Sequence, residues 1–223
     1  TITEDRFTRS LKGDLGRDAC SSFIINFTSG STGVPKPVCV AEDTKFERIT
    51  SGTQDLFDVD ANDITLVSTP QYHSLGLRQS LLPLVTGGTG VIMSHFSASN
   101  WLSIVEKHQI TFTIGVPTQL NDILRLIKKE DCARVASLQT LVSSSAQFSA
   151  ASRRLCDQKF NCRVFECYGA SEIGIASTLE ISNSSADIQS VGYPAKYAQI
   201  TIFDTKKPGA LAKSGQIGEI GVF

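Results

Sequence analysis

Short β-rich apolar runs alternate along this chain with segments whose apolar residues recur at helical spacing, and that alternation restricts its fold more than any other feature. The runs cover residues 23–27, 64–68, 90–93, 111–115, 140–143 and 163–167. Between residues 118 and 129, Leu120, Ile123, Leu124 and Ile127 fall at i, i+3, i+4 and i+7, one face of a helix turned to the core. Trp101, Ile104, Val105 and His108 repeat the spacing behind a Ser99 or Asn100 cap, which makes His108 a helix-flank residue rather than a ligand. An α/β fold with largely buried strands is expected.

Beyond about Gly174 the helical pattern fades. Residues 182–187 read as a loop rich in Ser and Asn, and strand-like runs at 199–204 and 217–223 flank a turn-rich stretch containing Pro208 and Gly209. A length of 223 residues with 41% hydrophobic content suits one domain or two packed subdomains. Lys and Arg total 21 against 22 Asp and Glu, so no basic field draws the chain to nucleic acid. Cys20, Cys39, Cys132, Cys156, Cys162 and Cys167 lack paired spacing and nearby histidines, which reads as reduced thiols in a cytoplasmic protein. No apolar run reaches the length of a membrane span, and residues 1–10 lack the layout of a secretory signal. A first residue of Thr rather than Met suggests an excised segment.

The chemistry concentrates in Phe27-Thr28-Ser29-Gly30-Ser31-Thr32-Gly33-Val34-Pro35-Lys36. Glycines let backbone N–H groups close on an anion, hydroxyls add neutral donors and a lysine adds a point charge, which together suit a polyphosphate. The segment is not a Walker A loop, because Gly33 is followed by Val34-Pro35-Lys36-Pro37. Composition alone leaves a polar surface loop as the alternative.

This loop closely resembles the TSGSTGxPK signature of the adenylate-forming superfamily, which includes acyl-CoA synthetases, aryl-CoA ligases, peptide-synthetase adenylation domains and luciferases. The resemblance implies layered mixed sheets with flanking helices, as in the large N-terminal domain of those enzymes. It also implies that Thr28, Ser29, Gly30, Ser31, Thr32, Gly33 and Lys36 form the loop around the β- and γ-phosphates of ATP. Pro37 departs from the family's glycine; it fixes φ, removes an N–H and biases Lys36 toward extended backbone.

A second segment, Tyr168-Gly169-Ala170-Ser171-Glu172, follows a β-rich run and so sits at a strand's carboxyl end, where α/β folds place ligands. It is similar to the family's YGxTE motif. That likeness assigns Tyr168 to the adenine, with Gly169 beside it, Ser171 to the α-phosphate and Glu172 to Mg²⁺, for which a hard oxygen ligand is chemically apt. Pro70-Gln71-Tyr72-His73-Ser74-Leu75-Gly76 resembles the PxxHxxG segment of acyl and aryl ligases, which puts His73 between acyl pocket and thiol tunnel. No acid occurs from Leu75 to Leu84, which disfavours an amino-acid substrate. Gly115-Val116-Pro117-Thr118 matches a family turn. Ser143-Ser144-Ser145-Ala146 stands where the family has a glycine-rich loop along adenine and the acyl carboxylate, so Ser144 joins the site while each serine adds a Cβ. Val191-Gly192-Tyr193-Pro194 and the segment from Gly215 to Ile220 resemble later family segments.

The implied reaction is ATP-dependent activation of a small carboxylic acid to an acyl-adenylate, then thioester formation with CoA, or with a carrier-protein phosphopantetheine. ATP or AMP, Mg²⁺ and CoA are the implied cofactors, and His73 and Glu172 the catalytic candidates. Residues 1–181 would form the main α/β part and residues 182–223 the start of a β-rich subdomain. The family's ribose-binding aspartate, hinge and lid domain with its catalytic lysine would follow Phe223, so the chain alone is expected to be incomplete. Pro37 and the serine replacements keep a second class open, a non-catalytic nucleotide-binding module. A phosphate-loop NTPase is disfavoured by the missing Walker pattern.

Overall fold

The computed structural model describes residues 22–28, 36–181, 190–207 and 209–223. Cys20, the loop residues Ser29, Gly30, Ser31, Thr32 and Gly33, the loop expected at 182–187 and the turn residue Pro208 lie outside the described residues. Residues 1–46 and 47–223 form two units.

In the first unit, β1 (Ser22–Thr28) and β2 (Lys36–Ala41) make an antiparallel pair in which Thr28 is the register partner of Lys36. The expected run at 23–27 is thus a strand. Its partner escaped the sequence pattern because Pro37 interrupts it, and proline is tolerated here because the ladder has only two strands. Helix α1 (Glu42–Ile49) leads out of this unit, with Glu42 and Asp43 in its first turn and Arg48 in its last, the charge order that suits the helix dipole.

The second unit is organised by a seven-stranded sheet in the order β4-β3-β5-β6-β7-β8-β9. Its members are β3 (Ile64–Val67), β4 (Thr89–Ile92), β5 (Phe112–Gly115), β6 (Thr140–Ser143), β7 (Arg163–Ala170), β8 (Gly174–Glu180) and β9 (Tyr193–Pro194). The β4-β3-β5-β6-β7 portion is parallel, and β8 and β9 add antiparallel strands. Helix α2 (Asp55–Phe57) precedes β3, and the crossovers between the parallel strands carry α3 (Ser74–Thr86), α4 (Ala98–His108), α5 (Pro117–Leu126) and α6 (Ala150–Lys159).

Side-chain alternation along the central strands feeds two cores. Leu66, Leu141 and Val164 join Trp101, Val105, Leu120, Ile123 and Ile127 in one. Phe112, Ile114, Val142 and Phe165 join Phe57, Leu75 and Leu82 in the other. Both faces of β5 and β6 are therefore covered, which is why every residue in them is buried. The predicted apolar stripe of Leu120, Ile123, Leu124 and Ile127 is core, but its helix ends at Leu126; Ile127 is extended and a 3₁₀ turn follows at Lys129–Val135. Ser97, not Ser99 or Asn100, caps α4, accepting a hydrogen bond from the Asn100 N–H at 3.2 Å, and His108 is exposed on its flank.

A separate antiparallel pair, β10 (Ile200–Phe203) and β11 (Glu219–Val222), accounts for the last two predicted runs. No helix among the described residues is long and apolar enough to cross a membrane.

Candidate nucleotide and acid site

Because β3, β5, β6 and β7 are parallel, the segments that follow them leave the sheet at the same edge. These are the segments the sequence singled out: 70–76 after β3, 115–118 at the end of β5, 143–146 at the end of β6 and 168–172 at the end of β7. Strand order runs one way from β3 to β4 and the other way from β5 to β7, so β3 and β5 flank a topological switch point, the usual ligand crevice of such sheets. Two buried glutamines hold it. Gln119 Nε2 donates to the Ser68 carbonyl at 2.9 Å, and Gln79 Oε1 accepts the Ile114 N–H at 3.2 Å.

His73 is the N-cap of α3, extended at φ −86° and exposed, with its ring centroid 4.5 Å from that of Tyr72. Its N–H donates to the Pro70 carbonyl at 3.1 Å. The helix enters so close to the 69–70 backbone that a Cβ on Gly76 would lie 2.2 Å from the Pro70 oxygen. Only glycine fits there.

Ser144 is buried, and its N–H donates to the Gly115 carbonyl at 3.2 Å, tying the loop after β6 to the end of β5. Ser145 has φ 76°, a left-handed conformation that side chains with a Cβ disfavour. The backbone at Ser145 therefore keeps a glycine-type geometry although the residue is not glycine.

Strand β7 runs past the predicted run, through Ala170, and takes Tyr168 and Gly169 into the ladder with β8. Gly169 faces Ile175 across a register shift, where a Cβ would meet the Gly174 carbonyl oxygen at 2.0 Å. Ser171 and Glu172 occupy the hairpin turn. Arg48 fixes this turn, with Nη1 donating to the Ser171 carbonyl at 2.8 Å and Nη2 to the Glu172 carbonyl at 2.6 Å. Partial burial lowers the Arg48 guanidinium from its ordinary value, while the Glu172 carboxylate acts the other way. The Glu172 side chain stays exposed.

A cavity of about 780 Å³ opens beside this hairpin, lined by Ser145, Gln147, Cys167, Tyr168, Gly169 and Val191 among others. At its wall Arg153 forms a buried ion pair with Glu166, whose second carboxylate oxygen accepts the Phe148 N–H at 3.2 Å. The structure thus brings Tyr168 and Gly169 together with the loop after Ser144. His73 and Glu172 are not among the cavity-lining residues. Thr28 and Lys36 are register partners at the adjoining ends of β1 and β2.

The residues suit the groups that the sequence implies. An aromatic ring on the wall of a cavity with polar and apolar lining is chemically compatible with a nucleobase. Among the described residues no cluster of three His, Cys, Asp or Glu is built to hold a metal. Mg²⁺ does not need one, since it takes one or two carboxylates together with phosphate oxygens, and an exposed Glu172 on a fixed turn meets that requirement.

Arg48, Arg78, Arg153 and Glu166 escaped the sequence reading. A lone Arg or Glu on a helix or strand reads as a solvated charge, and only the fold reveals that three of the four are buried.

Comparison with known proteins identifies the family to which the chain belongs. The family model for AMP-binding enzyme matches residues 15–222. Acyl-CoA synthetase 7 of Caenorhabditis elegans is 27% identical over a match that covers 99% of this chain and 42% of that protein. Feruloyl-CoA synthase of Amycolatopsis sp is 29% identical, with 92% of this chain and 40% of the relative covered. In structure, the chain resembles O-succinylbenzoate coenzyme A synthetase from Bacillus subtilis in complex with ATP and magnesium ion, with a TM-score of 0.79 and 24% identity, covering 92% of this chain and 42% of that one. The chain spans about two fifths of the length of these proteins.

Proposed function

Because this chain belongs to the AMP-binding enzyme family, we propose that it is the nucleotide-binding core of an acid–thiol ligase. In that reaction a carboxylate oxygen attacks the α-phosphorus of ATP, the bond to the bridging oxygen breaks, and pyrophosphate leaves with its electrons. A thiol sulfur then attacks the acyl carbon of the adenylate, displacing AMP. Mg²⁺, when bound, supplies positive charge against the phosphate oxygens. The chain's own residues position the reactants, which is most of the task in such chemistry.

Within this proposal Tyr168 and Gly169 hold adenine, Ser171 the α-phosphate and Glu172 the metal. Ser144 belongs to the loop beside the acyl carboxylate, His73 lies between acid and thiol, and the segment from Thr28 through Ser29, Gly30, Ser31, Thr32 and Gly33 to Lys36 surrounds the outer phosphates. CoA is the favoured acceptor, supported by the CoA-ligase names of the relatives, with a carrier-protein phosphopantetheine as the other acceptor class. Residues 182–223 begin a β-rich subdomain in this reading, supported by the pairing of β10 with β11 alone, although β9 within that span joins the main sheet. Free thiols throughout the described residues suit a cytoplasmic protein.

The observation that carries the reading is the emergence of all four downstream motif segments at one sheet edge, where two of them, 143–146 and 168–172, line a cavity walled by Tyr168. Acid-dependent ATP–pyrophosphate exchange tests it, measured on this chain and on a longer protein that contains it, with mixed aliphatic and aromatic acids. Exchange in the longer protein is expected, and silence in both would overturn the reading.

Ser145 at φ 76° and Pro37 after Lys36 favour one alternative, a nucleotide-binding module without turnover. ATP affinity without exchange for any acid would establish it.

A further inference from the structure

Strands β3 and β5 share a short register, from Thr65 opposite Phe112 to Leu66 opposite Thr113, whereas β5 stays beside β6 as far as Gly115 opposite Ser143. From Leu66 and Thr113 onward, side chains take over the pairing. Thr113 Oγ1 donates to the Leu66 carbonyl at 2.9 Å, the Ile114 N–H donates to Gln79 Oε1 at 3.2 Å, and Gln119 Nε2 donates to the Ser68 carbonyl at 2.9 Å. The switch point is thus a fork in the sheet, with amide side chains holding its two arms.

Gln119 uses both ends of its amide. Its Oε1 accepts the Val116 N–H at 3.3 Å, the N-cap group of α5, while its Nε2 reaches Ser68, 51 residues earlier in the chain. A glutamine at the third helical position ordinarily serves the N-cap N–H alone. Here the donor end crosses the crevice as well, and at 9% exposure the side chain is shielded from competing water.

Each end of the amide holds a segment of the candidate site. Ser68 leads into residues 70–76, where the Pro70 carbonyl accepts the His73 N–H and Gly76 packs on the 69–70 backbone. Val116 lies in the 115–118 turn, whose Gly115 carbonyl accepts the Ser144 N–H at 3.2 Å. One side chain therefore links the segment that carries His73 to the two segments across the fork.

We propose that Gln119 is a positioning residue for the acid: it sets the width of the crevice between segments 70–76 and 115–118, and with it the bulk of acid accepted. Nucleotide binding beside Tyr168 does not depend on it. The chemistry of the amide is specific, because a carboxylate would turn a second acceptor toward the Ser68 carbonyl and a thioether would donate to neither partner. The proposal rests on the acid-activation reading above for the identity of the ligand, but not for the dependence of the crevice on Gln119.

Two measurements on Gln119→Met and Gln119→Glu test it. Amide hydrogen exchange on this chain should show protection falling about ten-fold in peptides spanning 69–77 and 115–118, with 168–172 unchanged, as expected for loss of a buried hydrogen bond. Acid-dependent ATP–pyrophosphate exchange in a longer protein that contains the chain, with acids graded from acetate to octanoate and with benzoate, reads the consequence. The KM for acid should rise about ten-fold at an unchanged KM for ATP, and Gln119→Met should move the preference toward bulkier acids.

Equal rises in both KM values, a fall in kcat alone, an unmoved acid profile, or protection lost equally at 168–172 would each overturn the proposal, because a glutamine that only stabilises the fold acts on the whole unit. Wild-type behaviour of Gln119→Glu in both measurements would do the same. A wild type silent with every acid would sink the ligase reading and the acid with it, and the hydrogen-exchange result would then decide alone whether Gln119 sets the crevice.

Discussion

Arg48 Nη1 donates to the Ser171 carbonyl at 2.8 Å, joining the last turn of α1 to the hairpin that carries the candidate phosphate and metal residues. A second bond to the Glu172 carbonyl makes the contact two-pronged. Two adjacent backbone oxygens are thereby fixed, while the Ser171 and Glu172 side chains are left available to a ligand.

Arg48→Met should therefore free the turn without touching either side chain. The expected cost is about 1–3 kcal/mol in the urea unfolding free energy, for loss of charge-assisted hydrogen bonds at a half-buried site. If Ser171 and Glu172 act on phosphate and metal, ATP affinity should fall with it, and Arg48→Lys, lacking the fork, should recover only part. Unchanged ATP affinity at an unchanged midpoint would remove Arg48 from any positioning role.

Ser145 gives a change of opposite sign. A residue with a Cβ at φ 76° carries strain of about 1–2 kcal/mol, offset in part by the greater freedom that glycine has in the unfolded chain. Ser145→Gly should raise stability by about 0.5–1 kcal/mol, read from the urea midpoint. Ser145→Val should lower it, because a β-branched residue tolerates that conformation least. A neutral or destabilising glycine would mean that the Ser145 hydroxyl contributes more than the strain costs.

These two residues mark the limits of what the sequence disclosed. The parallel strands were legible because burial on both faces demands short apolar runs, and α5 because its stripe keeps helical spacing. Strand β8 was not, since Gly174, Ser177 and Thr178 dilute its apolar content and its stability comes from pairing with β7. Helix α3 was hidden by Gly76 and Pro83, residues that read as breakers yet serve close packing and the helix end. Ser145 stood out only against the glycines of similar loops, and Arg48 not at all, because its partners lie 123 and 124 residues away in sequence.

The buried thiols set an alkaline limit on stability. Burial raises Cys156, and pushes Cys167 up to about 12 from an ordinary 9.0. Above pH 9.0 the unfolded chain loses protons that the folded chain keeps, so the unfolded state binds fewer and the unfolding free energy falls as pH rises. Each thiol should contribute a slope of about −1.4 kcal/mol per pH unit until its folded value is reached. Urea midpoints between pH 8 and 11, compared with a Cys156→Ala, Cys167→Ala double variant, read this directly. The variant should show the shallower decline, and identical profiles would mean that these thiols ionise in the folded chain as readily as in the unfolded one.

The Arg153–Glu166 pair yields the sharpest contrast between breaking and replacing an interaction. Both side chains are 3% exposed, so desolvation of two charges opposes their mutual attraction. Glu166→Leu leaves the guanidinium buried without its carboxylate and strips the Phe148 N–H of its acceptor, with an expected cost of about 3–5 kcal/mol. Arg153→Met should cost a similar amount, because it strands the carboxylate. The double variant removes both charges at once and should regain most of that loss, leaving chiefly the orphaned Phe148 N–H, about 1–3 kcal/mol. Coupling of this size in a double-mutant cycle would mark the pair as one unit, whereas additive losses would mean that each side chain is held by other groups. Since both residues line the cavity beside Tyr168, ATP affinity in the double variant separates two roles. Retained affinity would confine the pair to fixing the end of β7, and lost affinity at recovered stability would give its charges a part in shaping the site.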